Sequence, residues 1–118
     1  MEYMLLIHAD PAGLQKLREA ERSTSLAAYG AYTEALQKAG VLRSGNRLRT
    51  ADSATTVQVR EGRTEVHHGP FIETREQLGG YYLIDVPDLD TALAWAARCP
   101  GASHGSVEVR PVWAMGAA

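Results

Sequence analysis

The sequence predicts a single α+β domain, and three observations support this prediction. First, 118 residues leave room for one domain of ordinary size but not for two. Second, a composition that is 45% hydrophobic and 22% charged supplies one core and excludes intrinsic disorder. Third, apolar stretches typical of strands alternate along the chain with stretches whose apolar residues recur at helical spacing.

Charge and cysteine content exclude several classes of protein. Twelve Lys and Arg against fourteen Asp and Glu give a net charge of −2, so no general attraction to nucleic acid or anionic lipid is expected. The apolar residues 1–7 lack a basic start and are too few to span a membrane, so we expect a cytoplasmic protein. The single cysteine, Cys99, excludes an internal disulfide and has no Cys or His at zinc-ligand spacing. No metal and no cofactor are predicted.

Strand and helix signals follow one another in the first third of the chain. Residues 3–7 are continuously apolar, as in a strand buried on both faces. Asp10 then provides an N-cap, with proline at the first helical position. Apolar residues at helical spacing predict a helix over 14–39, and a Ser-Thr-Ser run leaves its continuity at residues 23–25 open. Gly40 ends this helix as a C′ residue.

The middle of the chain predicts a short strand that begins at 41–42 and a β-hairpin over 55–66. A two-residue turn at Glu61-Gly62 places Arg60 opposite Arg63 and fixes the register of the hairpin. One face, which we expect to point inward, then carries Val57, Val59, Thr64, Val66 and His68. The other face carries Gln58, Arg60, Arg63, Glu65 and His67.

The last third of the chain adds a strand, a helix and a final strand. Residues 81–86 are again apolar on both faces, and Asp88 begins a helix. The inward residues predicted for that helix are Leu89, Ala92, Leu93, Ala96 and Ala97. Residues 106–113 alternate, as in a strand with one buried face. The complete order is that of a ferredoxin-like βαββαβ fold with an inserted β-hairpin.

The apolar pattern also predicts a homodimer. The two strands that are central in such a sheet carry apolar residues on both faces, whereas two helices cover only one face. The other face needs a cover that this chain does not encode. A second copy of the same sheet would provide it, so we expect a two-fold dimer whose sheets enclose a barrel-like space.

Residues 68–86, with the sequence HGPFIETREQLGGYYLIDV, form a long motif. Together with residues 88–100 and 107–112, this motif resembles the YCII-related proteins, in the branch named for a DGPF motif. The resemblance extends from Tyr3 to Trp113 and implies a dimeric α+β barrel. It also implies relatives among small-molecule enzymes, and branch members encoded beside or fused to sigma-factor modules.

Three side chains are candidates for acid–base catalysis. His68 stands where the family motif has its leading Asp, and Tyr29 stands where other YCII-like proteins have the His of a suggested His/Asp dyad. His8 ends the first strand close to Asp10. An imidazole exchanges protons near neutral pH, and a phenol can donate one. The structural alternatives are a backbone-bonded His68, a core Tyr29 and an Asp10 that only caps its helix.

Three further residues are candidates for ligand binding. Glu73 and Arg75 alternate with Glu76 after the Gly-Pro turn, where a carboxylate and a guanidinium either bind a polar ligand or belong to a solvated loop or a salt bridge between subunits. Asp85 interrupts an apolar strand, so it needs a partner, an edge position or a wet cavity.

Two functions are therefore predicted. The first is the binding of a small organic molecule beside the sheet of a homodimer, with acid–base catalysis by His68, Tyr29 or His8 and without a cofactor. The second, implied by the resemblance, is a non-catalytic interaction module with a sigma-factor partner. A cavity beside Tyr29 and His68 would favour the first function.

Overall fold

The computed structural model describes residues 1–15 and 19–115, which form a four-stranded sheet, a separate two-stranded sheet and three helices. In chain order the elements are β1 (Glu2–Ala9), α1 (Pro11–Gln15), α2 (Glu19–Lys38), β2 (Leu42–Arg47), β3 (Thr55–Arg60), β4 (Arg63–His68), β5 (Gln77–Asp85), α3 (Leu89–Arg98) and β6 (Ser106–Pro111). Short 3₁₀ turns lie at Ala51–Ser53 and Pro100–Ser103. Part of the predicted helix over 14–39, residues 16–18, lies outside the described residues.

The main sheet is antiparallel, with strand order β2-β5-β1-β6. Leu5 at the centre of β1 lies opposite Tyr82 on β5 and opposite Val109 on β6. This order is compatible with a ferredoxin-like βαββαβ arrangement, and it makes β1 and β5 the two central strands, as predicted.

The ends of the helices follow from their capping residues. Asp10 accepts a hydrogen bond from the Ala12 amide at 2.9 Å, and Asp88 accepts one from the Thr91 amide at 2.8 Å. Gly40, with φ of +72°, takes the left-handed conformation that glycine adopts after a helix end. α2 is continuous from Glu19 to Lys38, so the helix has no break at residues 23–25.

The core lies between the helices and one face of the sheet. Leu5, Leu36 and Ile84 are its largest fully buried side chains, from β1, α2 and β5 respectively. Two hydroxyls tie α2 to its neighbours: the Tyr32 hydroxyl donates to the carbonyl of Trp95 on α3 at 2.7 Å, and the Thr33 and Tyr82 hydroxyls share a hydrogen bond of 2.7 Å. The remaining buried core residues are Tyr3, Ile7, Tyr32, Val86, Ala92, Ala96 and Cys99.

The second face of the sheet, which we call the open face, is only partly buried. Along β1, Tyr3, Leu5 and Ile7 are buried against the helices, while the alternate residues Met4 and Leu6 are half-buried. Leu83 of β5, which lies opposite Met4, is half-buried as well. β1 therefore carries apolar residues on two faces, as predicted, but only its helix-side face is enclosed by the described residues.

The strands β3 and β4 form a hairpin, which we call the arm (residues 55–68). Arg60 lies opposite Arg63, which is the predicted register, and Glu61 and Gly62 at the turn both have positive φ, as a type I′ turn requires. The prediction that one face of the arm points inward is wrong. Its three valines are 59–61% exposed and His68 is exposed as well, because periodicity defines which residues share a face but not what covers that face. The valines are Val57, Val59 and Val66.

Helix α3 also differs from its prediction. Ala92 and Ala96 are buried as expected, but Leu89, Leu93 and Ala97 are exposed. Trp95 is half-buried in their place, and the Arg98 guanidinium lies 4.3 Å from its ring centroid in a cation–π contact. The final strand ends at Pro111, two residues short of the predicted end. In the part of the chain that the structure describes, no helix is both long and apolar enough to cross a membrane.

Candidate functional site

A groove lined mainly by residues of polar and charged types, which we call the rim groove, opens where the end of β1 meets the start of β6. Its volume is about 940 Å³. The segment just before β5 and the start of α1 complete its walls. The lining residues are His8, Asp10, Gly13, Thr74, Arg75, Glu76, His104, Ser106, Val107 and Glu108.

Strand register brings an imidazole and a carboxylate together in this groove. His8 lies opposite Ser106, and Leu6 lies opposite Glu108, so His8 and Glu108 are diagonal neighbours on the open face. The pairing of β1 with β5 shifts register between Ile7 and His8, which marks an irregularity at this end of the strand.

The His8–Glu108 pair brings an imidazole close to a carboxylate. His8 Nε2 lies 3.6 Å from Glu108 Oε1, and both side chains are partly exposed to the groove. The other carboxylate oxygen, Glu108 Oε2, accepts a hydrogen bond of 2.8 Å from Arg110 Nε. The imidazole thus faces one oxygen of a carboxylate whose other oxygen is held in place, which is a geometry suited to general acid–base chemistry.

Two further carboxylates of the groove have their own donors. Arg75 Nε donates to Asp10 Oδ2 at 3.1 Å, and this hydrogen bond, followed by the one from the Ala12 amide, lowers the pKa of Asp10. Glu76 Oε1 accepts a hydrogen bond of 2.8 Å from the Ser106 hydroxyl. The walls are therefore organised by charge-assisted hydrogen bonds between segments that are distant in sequence.

Gly105 controls how closely β6 approaches the end of β1. A Cβ at this position would lie 2.2 Å from the carbonyl oxygen of His8 and 3.2 Å from the Cα of Ala9. Both are backbone atoms, which no side-chain rotation can move away. The absence of a side chain at Gly105 therefore allows the backbone that carries His8 to pack against the start of β6.

Of the six predicted site residues, His8 and Arg75 line the rim groove. Tyr29 does not. It packs against the core cluster near Gly101 and Cys99, and burial raises the pKa of Tyr29 to about 12. Its hydroxyl therefore stays protonated at neutral pH, and its position against the core and outside the groove fits the core alternative for Tyr29.

The other predicted residues lie at three different places. His68 pairs with Thr55 on the arm and is exposed. Glu73 lines a smaller cleft of about 310 Å³ at the base of the arm. Asp85 contacts the Met1 amino nitrogen at 2.9 Å and Arg43 Nη2 at 3.2 Å. The Met1 contact is the main cause of the lowered pKa of Asp85, which fits the structural-partner alternative for this residue.

His104, Ser106 and Glu108 line the groove but were not identified from the sequence as site residues. The available signal was the alternation along β6, which places Ser106, Glu108 and Arg110 on the face away from the core. Combined with the antiparallel pairing of β1 and β6, this alternation puts Glu108 beside His8. Within residues 1–15 and 19–115, no group of three or more His, Cys, Asp or Glu side chains could hold a metal ion.

The fold and the groove define an α+β protein whose polar site lies at one end of an antiparallel sheet. The model of the YCII-related domain matches residues 1–116 of the chain. The chain is also 37% identical over 114 residues to the uncharacterized protein R00369 of Rhizobium meliloti (strain 1021), an alignment that covers 95% of this chain and 92% of that protein. The protein belongs to the YCII-related family, as the motif in residues 68–86 indicated.

Proposed function

We propose that this protein is a homodimer that binds a small polar organic molecule in the rim groove and transfers a proton to or from it. The observation that carries the proposal is the His8–Glu108 pair, with Nε2 and Oε1 3.6 Å apart in an open groove. In this proposal His8 is the group that exchanges the proton with the ligand, and Glu108 faces its Nε2.

The open face of the sheet supports the dimer. Met4, Leu6 and Leu83 form a half-buried apolar centre on β1 and β5. Beside it, Asn46 Nδ2 donates to the Tyr81 hydroxyl at 2.9 Å, so the neighbouring polar side chains already have partners. An apolar centre with a satisfied polar margin is typical of an interface between protein subunits.

The dimer and the groove are linked by geometry. His8 and Glu108 project from the same face of the sheet as Met4 and Leu6, because alternate residues of a strand share a face. A second sheet on the open face would border the groove and reduce its access to water. Electrostatic interactions strengthen as water is excluded, so the pair would act on its ligand more effectively in the dimer.

The groove residues suggest the chemistry of the ligand. Arg75 and His104 offer hydrogen-bond donors, and three carboxylates offer acceptors on the same walls. A ligand with both donors and acceptors, such as a small hydroxy or keto compound with a removable proton, fits this mixed lining. The proposal uses only groups of this chain and requires no cofactor.

The test is ligand detection by NMR with isotopically labelled protein. A mixture of small hydroxy, keto and amino acids is titrated while the imidazole signals are recorded. We expect the ring signals of His8 to shift, and His8→Asn and Glu108→Gln each to weaken binding at least tenfold. His67→Asn, on the exposed polar face of the arm, is the matched control and leaves binding unchanged. Equal binding by all three variants would remove the groove as the site.

A second candidate function is a non-catalytic module that binds a sigma-factor partner. It is favoured by Phe71 and Ile72, two large apolar side chains that are exposed within the family motif. The experiment is a binding assay with a purified sigma-factor module. Loss of binding in Phe71→Ser with Ile72→Ser, together with normal binding by His8→Asn, would favour this second function.

A further inference from the structure

The three carboxylates of the rim groove differ in what balances their charge. Arg75 Nε lies 3.1 Å from Asp10 Oδ2, and Arg110 Nε donates to Glu108 Oε2 at 2.8 Å. Glu76 differs from both, because within the described residues no nitrogen of a basic side chain lies at ion-pair distance from its carboxylate. Among the described residues, the groove therefore holds one carboxylate whose charge no contacting cation balances.

Strand pairing places this carboxylate near His8. The Ser106 hydroxyl donates to Glu76 Oε1 at 2.8 Å and lies 3.4 Å from Oε2. Ser106 is directly opposite His8 on the neighbouring strand, and the β-carbons of such a pair are about 4.5–5.5 Å apart. Glu76 and His8 are both half-buried. The carboxylate and the imidazole therefore border the same end of the groove and are linked through Ser106.

The remaining bonding capacity of Glu76 suits a protonated amine. Among the described residues, only the Ser106 hydroxyl donates to this carboxylate, which has lone pairs left for further donors. An ammonium group offers three N–H donors and a positive charge, and its hydrogen bonds to a carboxylate are stronger than those of a neutral hydroxyl. A carboxylate on the ligand would instead be repelled.

We propose that the ligand of the rim groove is a small organic amine whose ammonium group binds to Glu76. His8 then faces an atom of the ligand that is only a few bonds from the amine, because Ser106 contacts Glu76 and lies opposite His8. This inference rests on the proposed function, and it narrows the ligand from polar molecules in general to amines. Glu76 is the residue that determines this specificity.

The test is an NMR titration of isotopically labelled protein with three compounds of matched size, at low ionic strength. Ethanolamine, ethylene glycol and glycolate each carry a hydroxyl on a two-carbon chain, and they differ in a second group that is cationic, neutral or anionic. We expect ethanolamine to bind at least tenfold more tightly than the other two and to shift the ring signals of His8. Added salt weakens the binding of ethanolamine and leaves that of ethylene glycol unchanged.

Variants locate the amine. Glu76→Gln removes the charge and keeps an oxygen that accepts from Ser106, so we expect it to bind ethanolamine at least fivefold more weakly and ethylene glycol to within about twofold of the natural protein. Glu65→Gln removes a carboxylate from the exposed polar face of the arm and is the matched control. It leaves the binding of all three compounds unchanged.

The outcomes separate this inference from the proposed function. Ethylene glycol or glycolate that binds as tightly as ethanolamine and shifts the His8 signals overturns the amine assignment but leaves the proposed function intact. Equal weakening of ethanolamine and ethylene glycol by Glu76→Gln also overturns the assignment, since a purely structural role does not depend on ligand charge. Ethanolamine binding that Glu76→Gln weakens and His8→Asn does not supports the amine site and counts against proton exchange by His8. Failure of all three compounds to bind overturns both.

Discussion

Replacement of Gly105 by alanine tests how the rim groove is built. An atom in ordinary contact with a Cβ lies 3.4–4 Å from it, whereas the new Cβ would lie 2.2 Å from the carbonyl oxygen of His8. The two atoms would therefore be about 1.2 Å too close. The obstacle is backbone, so β6 must move relative to β1. Overpacking of this kind costs about 1–3 kcal/mol. Given the unfolding entropy expected for a domain of 118 residues, a loss of 1 kcal/mol in the free energy of unfolding lowers Tm by about 4 °C. We therefore expect Gly105→Ala to lower Tm by roughly 4–12 °C.

The assay is thermal denaturation followed by circular dichroism, with Gly30→Ala as the matched control. Gly30 lies within α2, and a Cβ added there would meet nothing within 4 Å, so alanine at this position only improves helix propensity. We expect Gly30→Ala to raise Tm by about 3–4 °C, from roughly 0.8–1 kcal/mol. The imidazole signals of His8 should move in Gly105→Ala and not in Gly30→Ala. A Tm for Gly105→Ala within 1 °C of the natural protein would refute the close approach of β6 to His8.

Three further predictions follow from the core and the ion pairs. Leu36→Ala, at a fully buried position, should lower the free energy of unfolding by about 2–5 kcal/mol in urea titrations, and a loss below 1 kcal/mol would contradict the core described above. Because the pKa of Tyr29 rises to about 12 on folding from an ordinary value of 10, the neutral hydroxyl stabilises the folded state below pH 10, and this stability is lost between about pH 10 and 12. Tyr29→Phe should therefore reduce the fall in stability between about pH 10 and 12, and an unchanged fall would contradict the burial of the hydroxyl. Arg75→Ala should raise the pKa of Asp10 in a carboxyl-carbon NMR titration, whereas Arg47→Ala should not.

Local chemistry explains what the sequence predicted correctly. The Asp10 and Asp88 caps, the left-handed Gly40 and the turn at Glu61-Gly62 each depend on a few neighbouring residues, and all four occur in the structure. The register of the arm follows from its turn for the same reason. Elements that short-range rules determine could therefore be placed to within a few residues.

Contacts between distant segments could not be predicted in the same way. His8 was identified as a candidate, but Glu108 is 100 residues away and reaches it only through the pairing of β1 with β6. Tyr29 was placed correctly on an apolar helix face, yet periodicity gave no indication that this face lies away from the groove. The valines of the arm were assigned to one face, but periodicity does not say what covers a face, and the described residues leave this one exposed.

The central claim is that the open face is covered by a second copy, which brings the rim groove next to an interface. Sedimentation equilibrium of the natural protein and of Leu6→Lys, at low micromolar concentration and moderate salt, tests it most directly. The proposal predicts the mass of two chains for the natural protein and the mass of one folded chain, or a greatly weakened dimer, for Leu6→Lys. A natural protein with the mass of one chain, or a Leu6→Lys variant that dimerises as tightly as the natural protein, would contradict it.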